Sequence, residues 1–403
     1  MSDLTGAWAS WHRAQDEMRA AIEATSRYRD HPEHRAQGIQ SLLEAEAMVH
    51  NQLIAPRPGQ PRAFNITGWN PDLIGLGQPS ADCLYGHILL DGRETYTIRG
   101  RLGGIKIMLL QIYNEIFGHD GYRMLANSDL ATFADADGRF EITCSAERGD
   151  AGHWMPLDRE STRNFVLIRR WLDDWYADTG ELEVELHGGP QPFDFADQAA
   201  LAGRIEAGAS YLRYLVERYT IGLYDHYLHS AGGPNRVDYI EGETIPEIAG
   251  NPVTYYGWGV LRLGPDDAVI IEQELPDSAY WSFQLGDVWS RPVDPIHHQS
   301  DVNRARAAVD ADGRVRAVVS RQDPGVPNWL DPAGRSEVVI VTRNYRELSK
   351  VAGPTVSVVP LAELRDHLPA GTPTTTPEQR ARDLEYRRRG LLRLFEGRTP
   401  QPG

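Results

Sequence analysis

Two adjacent imidazoles, His297 and His298, follow Asp294-Pro295-Ile296. Neighbouring histidines in a loop point to opposite sides, so one can face inward while a nearby aspartate fixes its tautomer. A solvated polar loop is the plain alternative. Glu272 and Glu274 stand two apart in a β-branched run and share one strand face, with Gln273 on the other. Two carboxylates about 7 Å apart suit paired acid/base work if that face is enclosed; facing water, they are ordinary surface charge. With Asp287 these residues form a candidate catalytic set for general acid/base chemistry near neutral pH.

Arg343 and an aromatic group, Tyr255, Tyr256, Trp258, Trp281 and Trp329, are the candidate substrate-binding set. Most of these rings must be core, since Trp and Tyr bury large areas and pin strands. Those that line a cavity, with Arg343 among them, suit a sugar ring or a partly apolar aromatic molecule. A second polar group is Asp225-His226 with His229, where the histidines are i, i+3 on one helix face. They can act as ligands or as a base with its orienter, although a helix C-terminus stabilises histidine without any ligand. Whether His226/His229 or His297/His298 holds a metal stays open; neither spacing matches a named motif, so no metal is assigned. No cofactor is assigned either. Gly-x-Ser-x-Gly, Walker and His-Glu-x-x-His patterns are absent from the sequence. Gly100-Arg101-Leu102-Gly103-Gly104 lacks the dinucleotide spacing. Cys83 and Cys144 sit in apparent strands and read as small buried hydrophobes.

The elements that must position these groups are written twice. Asp135-Ala136-Asp137-Gly138-Arg139 recurs as Asp310-Ala311-Asp312-Gly313-Arg314, and the same separation carries Trp154 to Trp329. One residue less takes Arg169 to Arg343 and Trp171 to Tyr345. Four features kept in step argue for a duplicated β unit. Aligning Tyr85 with Trp258 brings the Asp91-Gly92 and Gly264-Pro265 turns together and extends the repeat upstream.

The segments follow. Residues 1–54 read as a helical hairpin broken at Asp30-His31-Pro32, and 55–61 as a Pro-rich linker. Residues 64–187 are a first β unit and 251–347 a second. Between them 194–230 fits one long helix capped by Asp194 or Asp197, and 377–396 is a C-terminal helix. Residues 105–117 fit a strand or an amphipathic helix equally. The expected class is α+β, mainly β: two similar antiparallel sandwich- or barrel-like units carrying helices.

The chain has 403 residues, a net charge of −16 and 41% apolar residues, with lysine only at 106 and 350. The acidic balance argues against nucleic acid and against anionic membrane surfaces. No apolar run reaches the ~20 residues of a membrane span. The first residues lack the basic and apolar regions of an export signal, so a cytoplasmic protein is expected.

Residues 274–287, Glu-Leu-Pro-Asp-Ser-Ala-Tyr-Trp-Ser-Phe-Gln-Leu-Gly-Asp, resemble the signature of the family called domain of unknown function 1214. So do Pro327-Asn328-Trp329-Leu330 and Val339-Ile340-Val341-Thr342-Arg343-Asn344-Tyr345. The first half resembles, more loosely, the companion domain found upstream. The resemblance implies a β-rich two-unit fold and no particular reaction. The expected function is an enzyme acting by acid/base chemistry on a small, partly apolar organic or sugar-like molecule, as a hydrolase, lyase or isomerase. Its site is placed in the second unit. A non-catalytic small-molecule or carbohydrate-binding protein, and an oligomeric assembly protein, are the alternatives.

Overall fold

The computed structural model describes residues 3–65, 69–150, 152–241, 254–347 and 352–396. Residues 1–2 and 251–253, at the ends of two expected segments, lie outside them.

The first unit has nine strands: β1 (Phe64–Asn65), β2 (Cys83–Leu90), β3 (Tyr96–Arg101), β4 (Ile107–Tyr113), β5 (Met124–Asp129), β6 (Arg139–Ser145), β7 (Trp154–Pro156), β8 (Asn164–Trp171) and β9 (Glu181–Leu186). They form one sheet in the order β1-β2-β8-β4-β5 and a second in the order β7-β6-β3-β9. The later unit repeats the set as β10 (Asp238–Glu241), β11 (Thr254–Arg262), β12 (Asp267–Glu274), β13 (Ser278–Gly286), β14 (Asp301–Asn303), β15 (Arg314–Ser320), β16 (Trp329–Leu330), β17 (Glu337–Glu347) and β18 (Thr355–Pro360). Its sheets run β10-β11-β17-β13-β14 and β16-β15-β12-β18. Every strand has a counterpart in the same place, including the parallel pairs β6/β7 and β15/β16.

The registers test the repeat residue by residue. Thr143 faces Trp154 and Val318 faces Trp329, as the sequence spacing requires. Tyr85 faces Arg169, whereas Arg343 faces Tyr256. Tyr85 therefore answers to Tyr256, and the expected match with Trp258 is corrected: His87 holds that place. Tyr256 and Ile271 are 15 residues apart and their counterparts Tyr85 and Ile98 are 13 apart, so one offset cannot serve on both sides of the hairpin. Residues 107–113 are a strand, which settles the ambiguity of that stretch.

Within each unit the two sheets pack face to face. Ile88, Ile98, Leu110, Ile142 and Ile168 fill the first sandwich, and Leu261, Ile271, Phe283, Ala317 and Ile340 the second. The other face of each five-stranded sheet is also covered. Phe165, Leu167 and Trp171 of β8, with Val339, Val341 and Tyr345 of β17, join the helices in one central cluster. β8 is thus apolar on both faces, and its sequence shows little alternation.

The helices are α1 (Leu4–Ala24), α2 (Ser26–Arg29), α3 (Arg35–Val49), α4 (Gln198–Tyr214), α5 (Leu223–Ser230) and α6 (Pro377–Phe395). The expected long helix is capped by Asp197, which accepts from the Ala200 N–H. Leu215–Gly222, between α4 and α5, is π-helical. Gly38 lets α3 seat on the second unit: a Cβ there would stand 2.8 Å from Trp289. The Trp289 indole N–H donates to the His34 carbonyl at 2.9 Å.

A buried polar network ties both units to α6. Asp82 accepts from Tyr280 Oη (2.7 Å), Asn303 Nδ2 (3.1 Å), Trp175 Nε1 (2.9 Å) and Arg306 Nη2 (2.9 Å). Arg306 also reaches Asp301 at 2.8 Å, and Asp301 accepts from Arg387 of α6 at 2.6 Å. Such a network is tolerable in the interior because its donors and acceptors satisfy one another. No described helix is long and apolar enough to cross a membrane.

Candidate functional site: a cavity between the two units

Period-two alternation turns odd-numbered residues of β8 and β17 away from their own sandwiches, so Arg169 and Arg343 both enter the central cluster. Both are buried. Together they line a partly open cavity of about 80 Å³ between the units. Its other walls are Trp69 and the Gly77–Pro79 loop, Tyr85 and Trp171 of the first unit, and Tyr256, Trp258 and Val341 of the second. Tyr219 of the π-helical turn, with Leu223 and Tyr227 of α5, closes it. Among the described residues, no aspartate, glutamate or histidine lines it.

Each wall is held from behind. Arg343 donates to the Gln78 carbonyl (2.6 Å) and to Gln284 Oε1 (3.1 Å). Gln284 in turn donates to the Pro79 carbonyl at 2.8 Å. Arg169 lies 6.0 Å from the Tyr85 ring centre. Tyr227 stacks on Trp258 at 5.3 Å, and the Trp258 indole N–H is spent on Ser230 Oγ. The Trp171 indole N–H, by contrast, finds no acceptor among the described residues, nor does the Gln78 side-chain oxygen find a donor. Gln78 is left-handed, with φ +54°. A non-glycine residue in that region costs of order 1 kcal/mol. Burial pushes the hydroxyls of Tyr85, Tyr219 and Tyr227 upward, so they stay protonated and able to donate. The cavity is therefore rich in donors and positive charge, with flat apolar walls.

Of the residues singled out in the sequence, the fold brings Arg343, Tyr256 and Trp258 to this cavity and sends the others elsewhere. His297 is exposed, with Nδ1 2.8 Å from Asp294. His298 is half-buried, with Nδ1 2.7 Å from Asp331. Glu272 and Glu274 face outward from the smaller sheet: Glu272 accepts from Arg314 and Arg316 at 2.7 and 2.6 Å, and Glu274 from Arg314 at 3.3 Å. Their face of β12 is not a barrel interior, so the enclosed pair of carboxylates is corrected to surface ion pairing. Asp287 is buried but caps its own turn, accepting from the Trp289 and Arg291 backbone. Tyr255 stacks on Tyr239 at 5.8 Å. Trp281 lies in the second sandwich core, and Trp329 donates to the Ser320 carbonyl beneath Arg380. Five candidate catalytic groups and three candidate aromatics thus do not converge.

His226 and His229 are both exposed, and His226 packs edge-on to Trp258 at 5.2 Å. Among the described residues, the side chains gathered closely enough for a three-ligand metal site are His31, Glu33 and His34, on an open turn. Cys83 and Cys144 are buried, and burial pushes both thiols up to about 12.

Tyr85, Trp171, Gln78 and the tyrosines of the connecting helix were not legible as site residues. Arg169 carried the one available signal: it occupies the repeat position of Arg343, which points both arginines at whatever lies between the copies.

No protein-family model and no curated protein matches the chain. Among solved structures it is similar to an uncharacterized protein from Burkholderia cenocepacia, at 24% identity over 89% of this chain and 97% of that one, with a TM-score of 0.79. That likeness shows a shared fold. A Vibrio parahaemolyticus protein matches at 12% identity over 70% of this chain and 90% of that one, with a TM-score of 0.45.

Proposed function

We propose that the protein binds a small, partly apolar organic acid in the cavity between its two β units, its carboxylate facing Arg169 and Arg343. The observation that carries this reading is the convergence of two repeat-related buried arginines on one aromatic-walled cavity whose lining, among the described residues, has no acidic side chain. A carboxylate matches the guanidinium fork in both charge and geometry. The Trp171 N–H supplies a further unspent donor. With no histidine or carboxylate in the lining, binding is better supported than acid/base turnover, and the histidine and glutamate groups of the second unit already have local partners.

Small carboxylates such as acetate, propionate and butyrate, compared with their amides, test the reading in thermal unfolding. A ligand at 100 times its Kd adds about 2.7 kcal/mol of stability, a resolvable rise in Tm. Carboxylates should give a saturable rise and the amides none. Trp171→Phe should weaken binding about tenfold or more, as expected for losing a hydrogen bond to a charged group, and leave the unliganded fold intact because its N–H has no internal acceptor. Equal responses to acids and amides, or unchanged binding in Trp171→Phe, would refute it.

A further inference from the structure

A second cavity, of about 410 Å³, lies between the Pro-rich linker, the 191–193 segment and α4. It shares no lining residue with the central cavity. Its charged groups fall into two kinds. Arg163 is spent on Glu115, with bonds of 2.9 and 3.1 Å, and Asp91 is spent on Arg93. Arg57 and Arg204 are not neutralised in this way. Arg57 makes no ion pair among the described residues, and its guanidinium lies 4.0 Å from the centre of the Phe193 ring. Arg204 lies 5.6 Å from the same ring and donates only to the Ile54 carbonyl, at 2.9 Å.

Two cations thus share one aromatic ring. A cation–π contact is worth about 0.5–1 kcal/mol at a partly exposed site, less than a well-formed charge-assisted pair in the same place. Burial and the nearby Arg57 charge both hold Arg204 below its ordinary value, with Asp197 pulling the other way. The floor is α4, where Ala200, Gly203 and Arg204 share one face. A Cβ placed on Gly203 meets nothing within 4 Å, so the helix opens there onto free space. Pro56, Pro58 and Leu89 complete an apolar wall.

We infer that this cavity is a second ligand site, for an aromatic oxyanion whose carboxylate or phosphate lies between Arg57 and Arg204 and whose ring packs against Phe193 and the α4 floor. The volume suits a bicyclic ring system. Arginine forks match either anion, and an aromatic ring adds apolar contact with Phe193.

Calorimetric titration of the full chain with 2-naphthoate, 2-naphthyl phosphate and uncharged 2-naphthalenemethanol tests this. Both anions should bind, and the alcohol at least tenfold more weakly. The tighter of the two anions assigns the site to carboxylates or to phosphate monoesters. Gly203→Leu fills the floor without a clash and raises helix propensity, so it should lower affinity at least tenfold while Tm holds or rises. Arg57→Gln should weaken both anions about tenfold, and Trp171→Phe, in the central cavity, should leave them unchanged. The inference is overturned if neither anion binds at millimolar concentration, if the alcohol binds as tightly, or if Gly203→Leu keeps full affinity.

Discussion

Substituting His87 by Gln should change how stability depends on pH, by an amount the structure fixes. His87 sits on β2 with Nε2 3.0 Å from the Asn51 carbonyl, stacked between Phe64 (5.2 Å) and Phe165 (5.9 Å). Burial pushes its imidazole down to about 4 from an ordinary 6.5, only partly opposed by the Asn51 hydrogen bond. A depressed histidine favours the neutral form in the folded state. Its contribution is therefore fully present above pH 6.5 and is lost as pH falls toward 4. At about 1.4 kcal/mol per pH unit, the gap between the two values is worth about 3 kcal/mol. Glutamine retains a donor for Asn51 and does not titrate. Urea unfolding at intervals between pH 7.5 and 4 should show wild type losing about 3 kcal/mol more than His87→Gln, since the carboxylates titrate alike in both. Parallel losses, or an imidazole titrating near 6.5 by NMR in the folded protein, would refute the reasoning.

Asp82→Asn leaves Arg306 with Asp301, already shared with Arg387, as its remaining carboxylate partner. It should cost about 3–5 kcal/mol in urea unfolding, the usual penalty for breaking a buried charge network; a loss under 1 kcal/mol would contradict the network's role. Glu274→Gln breaks an exposed pair with Arg314, and Glu272→Gln breaks part-exposed pairs with Arg314 and with the buried Arg316, which keeps Asp310 and Asp312. Each should cost less than about 1 kcal/mol and leave carboxylate binding unchanged, as should His297→Ala, all checked by the same melts and titrations.

The duplication was readable because each copy kept its turns and its strand-end arginine. Asp-Gly at 137–138 and 312–313 is held by backbone geometry, with Gly138 and Gly313 both at positive φ, so the two motifs survived together. The hairpin after β2 and β11 differs in length, and there the sequence match slipped by one pleat, putting Trp258 where Tyr256 belongs. The π-helical turn at Leu215–Gly222 follows the same apolar spacing as its α-helical flanks over so short a stretch, which is why 194–230 reads as one regular helix. The candidate site fared differently. The titratable groups His297, His298, Glu272 and Glu274 cluster along the chain in the second unit. Clustering in sequence says nothing about which sheet face meets the other copy. Only the parity of β8 and β17, read together with the repeat, brings Arg169 and Arg343 to one place.

A cavity between repeat-related arginines has an energetic consequence for the free protein. One charge placed on the outer sheet face of a lone unit would remain in water; two units facing each other bury both. The fold bears that cost with neutral partners for Arg343, a backbone carbonyl and a glutamine amide, and with a left-handed Gln78 beside it. The same residues replaced by apolar side chains would pack more cheaply, since a well-packed apolar pair often matches or exceeds a buried charge in stability. Retaining both charges around an open space therefore favours stability that is completed on binding. An anion that binds between them binds the folded state alone, so fold stability rises with occupancy. On this reading the boundary between the copies is the part of the molecule whose stability responds most to ligand, while the two sandwich cores, filled by Ile168, Ile340 and their neighbours, respond least.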